Sequence, residues 1–472
     1  MTSGPETRVR SAEEAHWRAR SLWLDGLPGT LTPRPGLPGD ESADVVVVGA
    51  GLSGLWTAYY LKREQPELDV VVVEREIASF GPSGRNGGWC RGGMSGVPKL
   101  YAKRAGWDAV KRGERQTHQA VDVIGAVIAE EGIDCGWNKR GAVVIAENEA
   151  EMGRVRADLA DYRELGLEEE DMRLLTPDEV REYVRIPQCA GGMYEAAAAR
   201  INPAELTRGM ADACERRGVR IYEQTEALDV SPGAVRTTRG TVRARSVLRC
   251  TESYTVRLPG LKRNYLPLYS LMIATEPLSE STWEEIGWRD GMLVKDRRHL
   301  FFYAQRTRDG RIAIGGRGAP YRLGSPISED SERNDEVRSR LIATVARCFP
   351  PAASAAITHH WGGPLGVPRD WSMGVSYDRQ TGLGVAGGYS GSGVLSAHVC
   401  GRSLADLVLG RDTESSRAPW VGHRSRRWEP EPLRYIASRS IIATLGSADH
   451  KETETGHAAA RVKLVSPFMP PH

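Results

Sequence analysis

Three glycines carry the most specific spacing in this chain. Gly49, Gly51 and Gly54 follow directly on four valines, Val45–Val48, and lead into Leu55, Ala58, Tyr59 and Leu61. A four-residue apolar run is too short for a helix and suits a parallel strand buried on both faces. In the turn that follows, the first glycine permits the tight bend and the second lets backbone approach a pyrophosphate. The third lets the next helix pack on the strand. Ser53 sits inside the same turn. Free N–H groups and the macrodipole at the helix start favour a phosphate there. A second valine run, Val70–Val73, ends in Glu74, twenty residues beyond Gly54, with Arg75 next to it. A carboxylate at that point accepts hydrogen bonds from an adenosine ribose and repels a 2′-phosphate.

The segment after Glu74 separates one dinucleotide from another. Ser83-Gly84-Arg85-Asn86-Gly87-Gly88 is a dense cluster of small and polar residues with one arginine. Such a loop can wrap a pyrophosphate and ribityl chain and lay backbone beside a flat ring. An NAD-binding unit has no need of it, so the cofactor expected is FAD. Near the other end, Gly388, Gly391, Ser392 and Gly393 form a turn that leads through Val394 into a helix striped by Leu395, Val399 and Leu404, with Gly410 as its stop. A helix start there would stabilise the negative charge that a reduced flavin carries at N1 and C2=O. Gly382-Leu383-Gly384-Val385-Ala386-Gly387 matches the first glycine pattern letter by letter but lies within a strand-like run. It reads as a decoy, which removes support for a two-nucleotide monooxygenase.

These turns need a frame. At 472 residues the chain exceeds the size of one core, so two domains are expected. Its 63 Lys and Arg nearly balance 61 Asp and Glu, with no long block of one sign, which argues against a nucleic-acid partner. Seven scattered cysteines without a C-x-x-C pair indicate neither a metal site nor a redox dithiol, and fit a reducing cytoplasm. No run approaches the roughly 18 apolar residues that span a bilayer, so no membrane partner is expected. The oligomeric state stays open.

The expected fold is α/β: a discontinuous Rossmann-type FAD-binding domain with an inserted substrate domain of antiparallel β-sheet plus helices. Residues 1–40 read as an arm packed by Trp17, Trp23 and Leu24, and residues 413–472 as a C-terminal extension. The FAD-binding domain is assigned to 41–110, 195–260 and 360–412, the substrate domain to 111–194 and 261–359.

Together these segments resemble the FAD-dependent oxidoreductases of the D-amino-acid oxidase/glycine oxidase family, in a γ-glutamylputrescine oxidoreductase-like branch. The resemblance rests on Val45–Glu74, Ser83–Gly88, the Asp309–Gly316 hairpin, Trp361-Gly362-Gly363 and Gly388–Gly393. It implies a flavin domain beneath a substrate-binding sheet and oxidation of a C–N bond in a small amine or amino acid, with O2 as acceptor. A dehydrogenase with another acceptor, or a tailoring enzyme acting on an unusual nitrogen compound such as a hydrazine, is the alternative. The same resemblance brings Tyr269, His299, Tyr303, Arg317, His360, Trp361, Arg369 and Tyr389 towards the flavin face. Arg317 and Arg369 have the chemistry to hold a carboxylate in a bidentate fork. Cys90, two residues after Gly88, is expected to be an unlinked thiol.

If the first turn holds the pyrophosphate, Gly51→Val places a side chain in its path, and the folded protein should purify without flavin colour. Glu74→Ala should weaken retention more modestly, through lost ribose hydrogen bonds. Stoichiometric FAD in a folded Gly51→Val protein would refute the assignment.

Overall fold

The computed structural model describes residues 11–319, 321–324 and 326–465. Two eight-stranded sheets organise the chain. At the centre of the first, Glu41–Val48 runs parallel to Val70–Val73 on one side and to Thr241–Arg249 on the other. Both valine runs are buried along their whole length, as strands covered on both faces must be. Arg220–Tyr222 and Leu383–Gly387 extend the parallel arrangement outward, and Gly374–Asp378 closes one edge antiparallel. Most of the repeated glycine pattern is therefore strand, Leu383–Gly387, with Gly382 in the turn before it at φ +70°.

Helix Leu52–Glu64 packs so tightly on the first strand that a Cβ at Gly54 would fall inside contact distance of the Gly49 carbonyl oxygen. Helix Gly393–Leu409 lies on the same helix at Gly401, where a Cβ would sit 2.8 Å from that of Trp56. Small residues at both contacts let the backbones approach and bring the two helix starts together.

The second sheet runs in the order Ile357–Val367, Leu266–Thr275, Ile312–Gly316, Phe302–Arg306, Leu293–Asp296, Ala142–Ala146, Gly191–Glu195, Met172–Leu175. All its pairs are antiparallel except Leu293–Asp296 with Ala142–Ala146. The expected division between 359 and 360 falls inside Ile357–Val367. That strand stays with the second sheet because it pairs continuously with Leu266–Thr275, from Val367 opposite Leu266 to His359 opposite Ala274.

Within the arm, Trp17, Trp23 and Leu24 are buried on short helices, Ala12–Arg18 and Leu22–Asp25; residues 1–10 lie outside the described residues. Between the first sheet's opening strands and the second sheet run two helices, Pro98–Ala105 and Trp107–Glu130, separated at Gly106 with φ +82°. The C-terminal extension contributes a 23-residue helix, Leu433–Thr455. No helix among the described residues is long and apolar enough to cross a membrane.

The contact at Gly54 is against backbone, which cannot rotate away. Gly54→Ala should lower unfolding free energy by about 1–3 kcal/mol, the usual cost of overpacking, read as a shifted urea midpoint at constant m-value.

Candidate functional site

A cavity of about 850 Å³ opens between the two sheets. Gly49, Gly51 and Ser53 border it at the start of the first helix; Gly391, Ser392, Gly393 and Val394 border it at the start of the second. Neither helix carries an acid in its first turn, and neither has a side-chain cap, since Gly51 has none to offer and Ser392 makes no capping bond. Two positive helix ends thus meet one space without internal neutralisation. Tyr389 ties them together: its hydroxyl lies 2.7 Å from Ser53 Oγ.

Glu74 stands at the rim where the ribose is expected. Its two carboxylate oxygens accept the amides of Ala50 at 2.8 Å and Glu76 at 3.1 Å, and burial raises its pKa against those bonds. Arg75 lines the cavity beside it. On the loop, Ser83 Oγ accepts the Leu52 amide at 2.9 Å and would lie 2.9 Å from a Cβ on Gly51. Three buried side chains hold the loop's carbonyls from behind. Trp23 donates to Asn86 O at 2.8 Å, Trp361 to Arg85 O at 2.9 Å and Gln305 to Gly87 O at 2.6 Å. Asn86 closes the loop on itself by donating to Ser83 O at 2.8 Å and accepting the Gly88 amide at 2.9 Å.

Several expected roles change. Gly54, Gly84, Gly88 and Gly388 do not border the cavity. A Cβ at Gly84 would strike Ser79 O and one at Gly88 would strike Gln305, so these glycines permit close packing behind the loop. Gly388, at φ +84°, offers its amide to Glu252. The Arg85 guanidinium is taken by Glu332 at 2.8 Å and Tyr254 at 3.0 Å. Trp361 is a prop under the loop, edge-on to Trp23, and does not reach the cavity. His360 also lies off the cavity, where burial and the charges of Arg338 and Arg333 lower its pKa. Arg369 borders the cavity but its Nε is bound to Glu429 at 2.9 Å. Tyr389 is buried and its hydroxyl serves Ser53. Cys90 faces the core with its pKa raised by burial, and does not border the cavity.

Tyr269, His299, Tyr303 and Arg317 do line the cavity. Tyr303 pairs with Ser270 at 2.6 Å, and burial raises its phenol to about 12. His299 Nε2 meets Glu452 at 3.1 Å. With Asp449 these two form a cluster of ligand-type atoms, but Asp449 already accepts the amides of His299 and Leu300, each at 2.8 Å, and Glu452 holds Arg154 at 2.7 Å. The cluster acts as a clasp between the C-terminal helix and the second sheet.

Sequence reading missed Glu252, which follows the strand Thr241–Arg249 at φ +43° and accepts the amides of Gly366 at 2.6 Å and of Gly388 and Tyr389 at 3.2 Å. Burial raises it to about 7 against those amides. It missed as well a charged corner in which Glu195 takes Arg91 at 2.7 Å and Lys295 at 3.4 Å. Burial pushes Glu195 up, yet the two cations outweigh it and hold the carboxyl down to about 2; burial and Arg91 lower Lys295 to about 8. No local motif marks either group.

Uncapped helix starts, side-chain-free backbone at Gly51 along the cavity and a pinned carboxylate at Glu74 make a donor and acceptor set that suits a dinucleotide. The family model for FAD dependent oxidoreductases, DAO, matches residues 44–407, and the chain belongs to that family, whose cofactor is FAD. It is 28% identical to a probable oxidoreductase, OrdL, of Haemophilus influenzae over 81% of this chain and 86% of the relative. It is also 28% identical to the γ-glutamylputrescine oxidoreductase of Escherichia coli, over 78% and 84%. Among solved structures, glycine oxidase from Geobacillus kaustophilus superposes with a TM-score of 0.68 at 21% identity, covering 82% of this chain and all of that one.

The charged corner has a pH signature. Glu195 has a folded pKa of about 2 against an ordinary 4.5. Between these values the unfolded chain binds more protons, so this contribution, full above the ordinary value, drains as pH falls through the window. Glu195→Gln should flatten that slope and, by leaving Arg91 and Lys295 without their shared carboxylate, cost about 3–5 kcal/mol at neutral pH. Denaturant titrations from acid to neutral pH check it; equal stability of variant and parent at neutral pH would contradict the pairing.

Proposed function

We propose that the chain oxidises the C–N bond of a small amine or amino acid to the imine, with O2 taking up the two electrons and two protons as H2O2. The observation that carries this reading is Arg317. Its guanidinium borders the cavity, 4.9 Å from the Phe301 ring centre and 6.0 Å from that of Trp371. Burial and the charge of Arg297 lower its pKa to about 10, with no acid opposing them. Among the described residues no carboxylate pairs with it, and a guanidinium so placed in a half-buried cavity wall is costly until an anion arrives. An amino-acid carboxylate fits its planar fork. Arg369 has spent its charge on Glu429, so of the two arginines Arg317 is the one we assign to substrate.

FAD, once bound, supplies the acceptor for the hydride leaving the carbon beside nitrogen. The chain's task is then to hold the substrate and exclude water. Arg317 fixes one end. The Ser270–Tyr303 hydroxyl pair and the Trp89 indole N–H, buried in the cavity wall without a partner, offer further polar contacts. The substrate nitrogen must be neutral to release hydride, so activity should rise with pH through its pKa without a protein base. The names of relatives that act on an amine, γ-glutamylputrescine, and on an amino acid, glycine, support the same bond type.

The test compares carboxylated substrates with their decarboxylated amines in wild type and Arg317→Ala. The variant should lose about 2–5 kcal/mol of carboxylate binding, the cost of truncating one side of a buried charge pair, and keep its turnover of the plain amine. Equal preference in both proteins would refute carboxylate recognition by Arg317. Mixing reduced enzyme with aerated buffer reads the acceptor: slow reoxidation would point to a dehydrogenase.

A further inference from the structure

We propose that the C-terminal helix Leu433–Thr455, which lies beyond the family match ending at 407, is a specificity wall that selects substrates bearing an apolar chain beside their anionic group. This rests on the assignment of Arg317 to the substrate anion. Ser438, Ile441, Ile442 and Leu445 follow the i, i+3, i+4, i+7 spacing of one helix face, and all four border the cavity. A surface helix ordinarily packs such a stripe into a core. Here Leu445 is buried, while Ile441 and Ile442 are only half-buried, because the space they face is the cavity.

The helix is held in that position at both ends. Near its start Arg434 pairs with Glu431 at 2.7 Å, and Glu431 also accepts the Tyr321 hydroxyl at 2.5 Å. Near its end Asp449 caps the amides of His299 and Leu300, and Glu452 takes His299 and Arg154. The second clasp sets the helix directly against the Arg317 corner. Leu300 lies 3.5 Å from where a Cβ on Gly446 would stand, Phe301 follows it, and Arg317 stacks on the Phe301 ring. Leu268 and Trp371 border the same space. A guanidinium with no carboxylate partner among the described residues, set among isoleucine, leucine, phenylalanine and tryptophan, matches an anion attached to hydrocarbon. A polycationic amine would meet like charge at Arg317 and gain nothing from the isoleucines.

The test is calorimetric binding of straight-chain monocarboxylates, acetate through octanoate, to the FAD-loaded protein. Burying each added methylene should tighten binding by about fourfold until the wall is reached. Ile441→Ser with Ile442→Ser should flatten that length dependence while leaving acetate binding in place. Ile441→Trp should weaken octanoate by at least tenfold and spare acetate, and retained flavin reports that either variant has folded. Arg317→Ala should weaken every length equally and keep the slope. A flat series in wild type, or a slope unchanged in both isoleucine variants, overturns the wall. Binding indifferent to Arg317→Ala with the slope intact overturns instead the anion assignment on which it rests.

Discussion

The structure turns on a backbone contact with no room for a side chain: the Leu52–Glu64 helix lies against the first strand at Gly54, and the Gly393–Leu409 helix lies against it at Gly401. These approaches make the two helix starts neighbours although the chain between them builds most of both sheets. Ser53 and Tyr389, one on each approach, then share a hydrogen bond at 2.7 Å. Everything else in the cofactor region elaborates that meeting. Fixed amide dipoles in a space shielded from water hold negative charge without reorganising, which a few mobile lysines cannot do.

The loop Ser83–Gly88 depends on the same principle of spending hydrogen bonds on the far side. Its carbonyls are taken by Trp23 from the arm, Trp361 from the second sheet and Gln305 from the strand beside it. Each indole or amide satisfies a buried acceptor that would otherwise cost free energy. With its carbonyls committed away from the cavity, the loop can present the Ser83 hydroxyl towards it, while Gly87 packs against the Tyr303 ring. Trp361, a candidate for substrate contact, and Trp23, which packs the arm, therefore act as the loop's support, and the arm belongs to the site it seems to precede.

What the sequence made legible, and what it hid, divides by the distance over which each signal acts. The valine runs, the glycine turn and Glu74 were readable because strand, turn and helix follow from residues within one βα unit. The decoy at 382–387 was readable for the same reason, since its glycines fall within the strand run and not in a turn between strand and helix. Arg369, Tyr389 and Trp361 could not be assigned, because their partners lie 60, 336 and 276 residues away. An arginine's availability is a property of its neighbours, and only the folded chain brings Glu429 to Arg369. Glu252 and the Glu195 corner were silent for a related reason: a lone glutamate on a strand end looks like any solvated acid until burial is known. The C-terminal helix was hidden by its composition, since Arg, Ser, Thr and Asp dilute the apolar face that Ile441, Ile442 and Leu445 form.

Charge available for recognition is charge the fold has left unpaired, and most cations around this cavity are not available. Arg85 has Glu332, Arg91 and Lys295 share Glu195, Arg297 has Asp158 and Arg369 has Glu429. Such pairs fix strands and loops, and a substrate carboxylate entering among them would have to displace a protein carboxylate already held in place. Arg317 is set differently, with aromatic rings beside its guanidinium and a second cation, Arg297, raising the local potential. Aromatic faces support an arginine without neutralising it. Under the proposed assignment the substrate anion would bring the missing half of the pair, and the surrounding hydrocarbon, by lowering the local dielectric, would strengthen that pair once water has left.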